Sequence, residues 1–151
     1  MQQLVYTMHF RGQASRSGQD PVIIRTTSSG TSCRIETVVG PTGVETTLHP
    51  APGDLAFLEY EIRLTSQGAF QGSGVLTFGD EGADAIQFSS EQKGQFLPNA
   101  APGVMAGGIS WKVEGGSGRF AAATGFISSA FTLNESGQMN EYHCGLIFIG
   151  K

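Results

Sequence analysis

Two stretches of the chain place ionisable side chains at the spacing of one strand face. From Leu55 to Leu64, alternation puts Phe57, Glu59, Glu61 and Arg63 on one face and Leu58, Tyr60, Ile62 and Leu64 on the other. A carboxylate carried into an apolar interior rises in pKa and becomes usable as a general acid or base, so Glu59 is a catalytic candidate. Tyr60, on the opposite and more apolar face, brings a hydroxyl that needs a partner when buried, and is a second candidate. The same charged face also reads as a solvated outer wall, with Arg63 compensating Glu61. Near the other end of the chain, Glu141, His143, Gly145 and Ile147 share one face, and Tyr142, Cys144, Leu146 and Phe148 share the other. An imidazole that titrates near neutrality, two residues from a glutamate, has the makings of a proton-transfer pair, which makes His143 the third catalytic candidate. An exposed polar ladder fits that spacing equally. His9 would join this group if the first and last strands are neighbours, whereas His49, ahead of Pro50, reads as a solvated turn residue. Arg34 and Glu36 share a strand face and can satisfy each other.

The aromatic candidates for substrate contact are Trp111, Phe131 and Tyr142. Trp111, flanked on its face by Ile109 and Val113, reads as core or as the wall of a ligand cavity. No Cys-x-x-Cys or Cys-x-x-His spacing supports a metal, and no nucleophile elbow, zinc-protease helix or nucleotide fingerprint occurs. No metal and no cofactor are expected. Cys33 and Cys144 read as two buried free thiols, with a disulfide as the alternative.

The elements that must position these residues are strands. No helix is expected. Strands are expected over 3–11, 21–27, 31–39, 43–48, 55–65, 69–78, 84–96, 106–114, 119–123, 125–133 and 138–149. Short turns at Gly40-Pro41-Thr42-Gly43, Gly79-Asp80-Glu81-Gly82 and Asn134-Glu135-Ser136-Gly137 favour antiparallel hairpins. The Pro/Gly/Ala-rich loops at 49–54 and 97–105 are the longest interruptions and suit the border of a barrel mouth. Many short antiparallel strands must hide their edges, and closure into a small barrel of about eight to ten strands does so completely. A sandwich is the alternative from pattern alone.

The barrel is favoured by the run Gly115-Gly116-Ser117-Gly118-Arg119-Phe120-Ala121-Ala122-Ala123-Thr124-Gly125, which leads into the strand-like Phe126–Leu133. Glycines for a tight corner, one aromatic anchor and small neighbours suit a strand crossing at a barrel end. A phosphate-cradling loop would need a helix to follow, and a strand follows instead. Gly116, Gly118, Phe120 and Gly125 resemble the corner motif of the allene oxide cyclase-like and dirigent-like barrels. That resemblance implies an antiparallel barrel around an apolar cavity, with family activities that fold or guide a hydrophobic substrate without a cofactor. It also implies a homo-oligomer, dimer or trimer. The matched residues are scaffold residues, so the resemblance carries no catalytic assignment.

The 151 residues fit a single domain, 1–151. A net charge of −4, with nine basic residues scattered singly, excludes the clustered Lys and Arg that nucleic acid or an anionic membrane demands. No segment approaches the roughly 18 apolar residues of a membrane helix, and Met1–Tyr6 has no signal-like start, so the expected location is cytoplasmic. The resemblance implies binding of an apolar small molecule in the barrel, as a cofactor-independent cyclase or isomerase of a carbonyl-bearing hydrophobic substrate, and ten Phe among few charges suit that role. The alternatives are a non-catalytic carrier of a hydrophobic metabolite and a filled barrel that serves only as an assembly unit.

Overall fold

A computed structural model describes residues 1–19, 21–65 and 68–150, the Asn99 side chain excepted. Period-two patterning dominates it. In β4 (Ala56–Leu64), Ala56, Leu58, Tyr60 and Ile62 are buried while Phe57, Glu59 and Arg63 are exposed. The same alternation runs through β8 (Val104–Ser117), β9 (Thr124–Asn134) and β10 (Gln138–Ile149). The remaining strands are β1 (Gln2–Ser17), β2 (Ile23–Gly40), β3 (Gly43–Pro50), β5 (Ala69–Phe78), β6 (Asp84–Ser90) and β7 (Gly94–Ala101). Among the described residues all pairings are antiparallel, and the one short helical turn, Gly118–Phe120, belongs to the Gly-rich corner.

The pairings close on themselves. They run β1-β10-β9-β8-β6-β5-β4-β2, and β2 returns to β1 from Met8↔Ser32 to Ser17↔Ile23. The result is an eight-membered ring, with β7 sharing the place of β6 between β5 and β8. Interior positions are filled by Phe10, Leu58, Ile62, Phe70, Leu76, Ile86, Phe88, Trp111, Ile127 and Ile147, all essentially inaccessible. Each such side chain contributes about 1.5–3 kcal/mol by leaving water. The outer wall carries an apolar row in register, Val5 on β1, Leu146 on β10 and Phe126 on β9, all exposed.

Four of the expected strands differ. The strands expected over 21–27 and 31–39 are one long strand, β2, whose first half serves the ring and whose second half extends into a hairpin with β3. The segment expected as 84–96 breaks at 91–93, where the chain passes from β6 to β7. The expected strand 119–123 is instead the corner turn, with Phe120 buried 5.2 Å from the ring of Phe78. Phe120 thus anchors the barrel end, as its position among small residues implies. His49 lies within β3 and not in a turn, paired with Arg34 and 3.5 Å from Glu36, which Arg34 also approaches at 3.5 Å. Both cysteines are free, but only Cys33 is buried; Cys144 faces outward on β10. Among the described residues no helix is long and apolar enough to cross a membrane.

The corner depends on its glycines. Gly118 holds φ at 59° and Gly125 at 146°, and a Cβ on Gly125 would stand 2.1 Å from the Leu146 carbonyl oxygen. Backbone in the way cannot yield as a side-chain tip can. Gly125→Ala is therefore expected to cost about 2–4 kcal/mol, seen as a lower urea midpoint. Gly40→Ala, where an added Cβ meets nothing within 4 Å, is the matched control and should be near neutral.

Candidate functional site

Closure fixes which face of each strand looks inward, and on β10 the polar face does. Glu141 and His143 lie inside the barrel at 0% and 2% exposure. Glu141 stands opposite Phe10 on β1 and Phe131 on β9; His143 stands opposite Met8 and Ser129. Ser129 donates its hydroxyl proton to Glu141 Oε1 in a short hydrogen bond. His143 Nε2 lies 3.7 Å from the same oxygen, too far for a hydrogen bond. The imidazole is caged by rings, with Phe10 edge-on at 5.2 Å and Phe88 and Tyr6 at 6.4 and 6.5 Å. Across the interior, Tyr60 packs 5.6 Å from Trp111, and its hydroxyl donates to the Met139 thioether at 3.3 Å.

The cluster is short of partners. Glu141 Oε2, both ring nitrogens of His143, Tyr6 Oη, Trp111 Nε1 and Ser28 Oγ are buried without a hydrogen bond. Each such group costs about 1–3 kcal/mol relative to a satisfied one. Burial also sets the protonation. It pushes the Glu141 carboxyl up to about 7, against smaller opposing effects of the Ser129 hydrogen bond and of the Tyr60 hydroxyl nearby. It pushes His143 down to about 3. Tyr60 and Tyr6 are both raised, chiefly by burial and further by the Glu141 charge. The close approach of Glu141 and His143 is therefore not an ion pair near neutrality: the imidazole is neutral, and the carboxyl is divided between its two forms. A carboxyl poised near ambient pH can both give and take a proton.

The candidates drawn from the sequence separate accordingly. Tyr60, His143, Trp111 and Phe131 all reach the interior. Glu59 does not: it is exposed on the outer wall, because Tyr60 points inward and adjacent residues on a strand face opposite ways. Tyr142 also faces outward, stacked on His9 with ring centroids 4.8 Å apart. His9 does neighbour the last strand, but its ring lies outside the barrel and its Nε2 is 3.2 Å from Asn140 Oδ1. Glu61 is paired by Arg25 at 2.7 Å and not by Arg63. Glu141, Ser129 and Tyr6 complete the interior group; parity with His143 identifies Glu141 from sequence, whereas nothing local marks the other two. Among the described residues no three His, Cys, Asp or Glu side chains converge as a metal site would require.

Comparison with known proteins supports the fold. No family model matches the chain, and no curated protein matches it in sequence. Among solved structures, the pterocarpan synthase dirigent protein GePTS1 is similar over 100% of this chain and 89% of its own, with a TM-score of 0.56 and 11% identity. The dirigent-like fold expected from Gly116, Gly118, Phe120 and Gly125 is met at that level.

The opposed shifts have a measurable signature. Between pH 4.5 and about 7 the folded protein holds a Glu141 proton that the unfolded chain has released, so this group's contribution to stability falls as pH rises. Between about 3 and 6.5 the unfolded chain holds a His143 proton that the folded protein lacks, so that contribution rises with pH. The two slopes oppose one another from 4.5 to 6.5. Glu141→Gln removes only the first. Its stability relative to wild type should climb with pH across this window, by at most about 1.4 kcal/mol per unit, in urea unfolding series. A pH-independent difference would show that Glu141 titrates normally.

Proposed function

We propose that the barrel binds an uncharged apolar molecule bearing a carbonyl, and acts on it as a cofactor-independent isomerase or cyclase with Glu141 as acid and base. The observation that carries this reading is the incompletely satisfied pair Glu141–His143 with Tyr60, enclosed in a mainly apolar interior. Packing alone would favour Leu or Phe at these positions; unpaired polar atoms lower stability and return nothing to the core. The likeness to the fold of a pterocarpan synthase dirigent protein supports a barrel used in this way.

The chemistry follows from the groups present. Glu141, as carboxylate, takes a proton from the carbon next to the carbonyl, and the electron pair moves onto the carbonyl oxygen. The Tyr60 hydroxyl donates to that developing oxyanion in a dry, low-dielectric site, where such a bond is strongest. Glu141, now an acid, returns the proton at a different carbon; alternatively the bound enolate carbon closes a ring on a second carbonyl carbon of the substrate, whose oxygen takes the Glu141 proton as its double bond to carbon opens. Neutral His143 stays beside the carboxyl and suits either protonation state. Trp111, Phe131 and Phe88 hold the apolar body and reduce its rotational freedom before the barrier.

A second reading is favoured by the packing itself. The unpaired atoms are all out of reach of water, so the interior is filled around them, as in a barrel that serves only as a scaffold. Proton exchange of 2-tetralone in deuterated buffer, followed by NMR, separates the readings. Wild type is expected to accelerate α-proton exchange, and Glu141→Gln to lose about 100-fold or more of that acceleration. Binding without exchange would make the protein a carrier; neither binding nor exchange would favour the filled scaffold.

A further inference from the structure

We infer that Met139 is the side chain a ligand displaces, its thioether occupying the place where the ligand's oxygen meets the Tyr60 hydroxyl. This inference rests on the interior of the barrel being the binding site. A buried tyrosine hydroxyl normally finds an oxygen or nitrogen acceptor, yet the partner of Tyr60 is a sulfur at 3.3 Å, a weak acceptor. The bond is therefore inexpensive to exchange for one to a carbonyl. The side chain holding that position is also the most adaptable apolar one: unbranched, with three rotatable bonds and a polarisable sulfur. It is only 2% exposed, so its departure opens space directly beside Tyr60 and in the layer next to Glu141.

Position supplies the way in. Met139 begins the inward face of β10, and its cross-strand partner on β9 is Leu133. Leu133 lines an open, mainly apolar hollow of about 280 Å³ with Pro98, Val104 and Met105, at the barrel end where the 97–105 segment turns. In the register of β10, Met139 thus pairs with Leu133 of the hollow and lies one inward position before Glu141 of the polar group inside. Rotation of the Met139 side chain toward the hollow joins the two, and its return seals the site from water. The chemical class of ligand follows. Among the described residues, no Lys or Arg is buried and His143 is neutral, so a carboxylate or phosphate would meet no cation there. An uncharged ketone or enone on an apolar frame meets Tyr60, the carboxyl and aromatic walls.

The protein carries its own reporter, since Trp111 is the single tryptophan and lies 5.6 Å from the Tyr60 ring. Quenching of Trp111 fluorescence by 2-tetralone is expected to show about tenfold tighter binding in Met139→Ala, whose cavity the ligand fills. Tyr60→Phe should weaken binding, and in the Met139→Ala background it should remove most of the gain. Met139→Leu, which keeps the volume but stiffens the side chain, should weaken binding several-fold, and decides the matter if Met139→Ala does not fold. 2-Naphthoate should bind none of them. Unchanged affinity in the Met139 variants, a double variant that binds as tightly as Met139→Ala, or no binding by any protein would overturn the inference. Tighter binding without proton exchange would leave it standing while the catalytic reading fell; exchange by wild type with Met139 variants of unaltered affinity would do the reverse.

Discussion

The pairing of β1 with β2 turns a sheet into a ring, and the site depends on it. Without that ladder, β1 and the ring half of β2 would each present an open edge. With it, residues 8–13 of β1 and 23–30 of β2 are paired on both sides. Closure also abolishes the choice of face. In an open sheet either face can be covered or left wet, whereas in a small ring one residue in two is enclosed whatever its chemistry. Glu141 and His143 are enclosed for that reason, on the same inward face as Met139, Ile147 and Ile149.

The enclosed polar group sets up a tension within the core. Phe10, Phe88 and Trp111 supply burial that stabilises the barrel, while the neighbouring carboxyl and imidazole detract from it through lost hydration and missing hydrogen bonds. The molecule limits this cost by neutralisation: burial raises the affinity of Glu141 for its proton and lowers that of His143, so neither need carry a full charge near neutrality. Ser129 compensates one carboxyl oxygen and leaves the other without a partner. The unpaired oxygen, the weakly held Tyr60 hydroxyl and the flexible Met139 lie at the same end of the interior as the open hollow beside Leu133.

Much of the architecture was legible before the structure. Alternation in Leu55–Leu64 correctly placed Leu58, Tyr60 and Ile62 on one buried face, and the corner glycines with Phe120 marked the barrel end. The 21–27 and 31–39 strands looked separate because Ser28, Ser29 and Gly30 have turn-like composition, but ladders to β1 and β4 hold them extended. Glu59 and Tyr60 could not both face the interior, since neighbours on a strand alternate; choosing between them required knowing that the apolar face was the inner one. On β10 the same rule misleads only over 141–146, where Glu141 and His143 face inward and Tyr142, Cys144 and Leu146 face outward.

The sequence by itself determined the period of two, the turns between strands and hence an antiparallel all-β chain, because these follow from steric preferences within a few residues. It also paired Glu141 with His143, as residues two apart must share a face. Only the tertiary structure decided that this face is enclosed, that Ser129, Tyr60 and Met139 converge on it, and that Glu59 and Tyr142 remain outside. Those outcomes depend on which strands meet across the ring and in what register, a property of closure that no local spacing encodes.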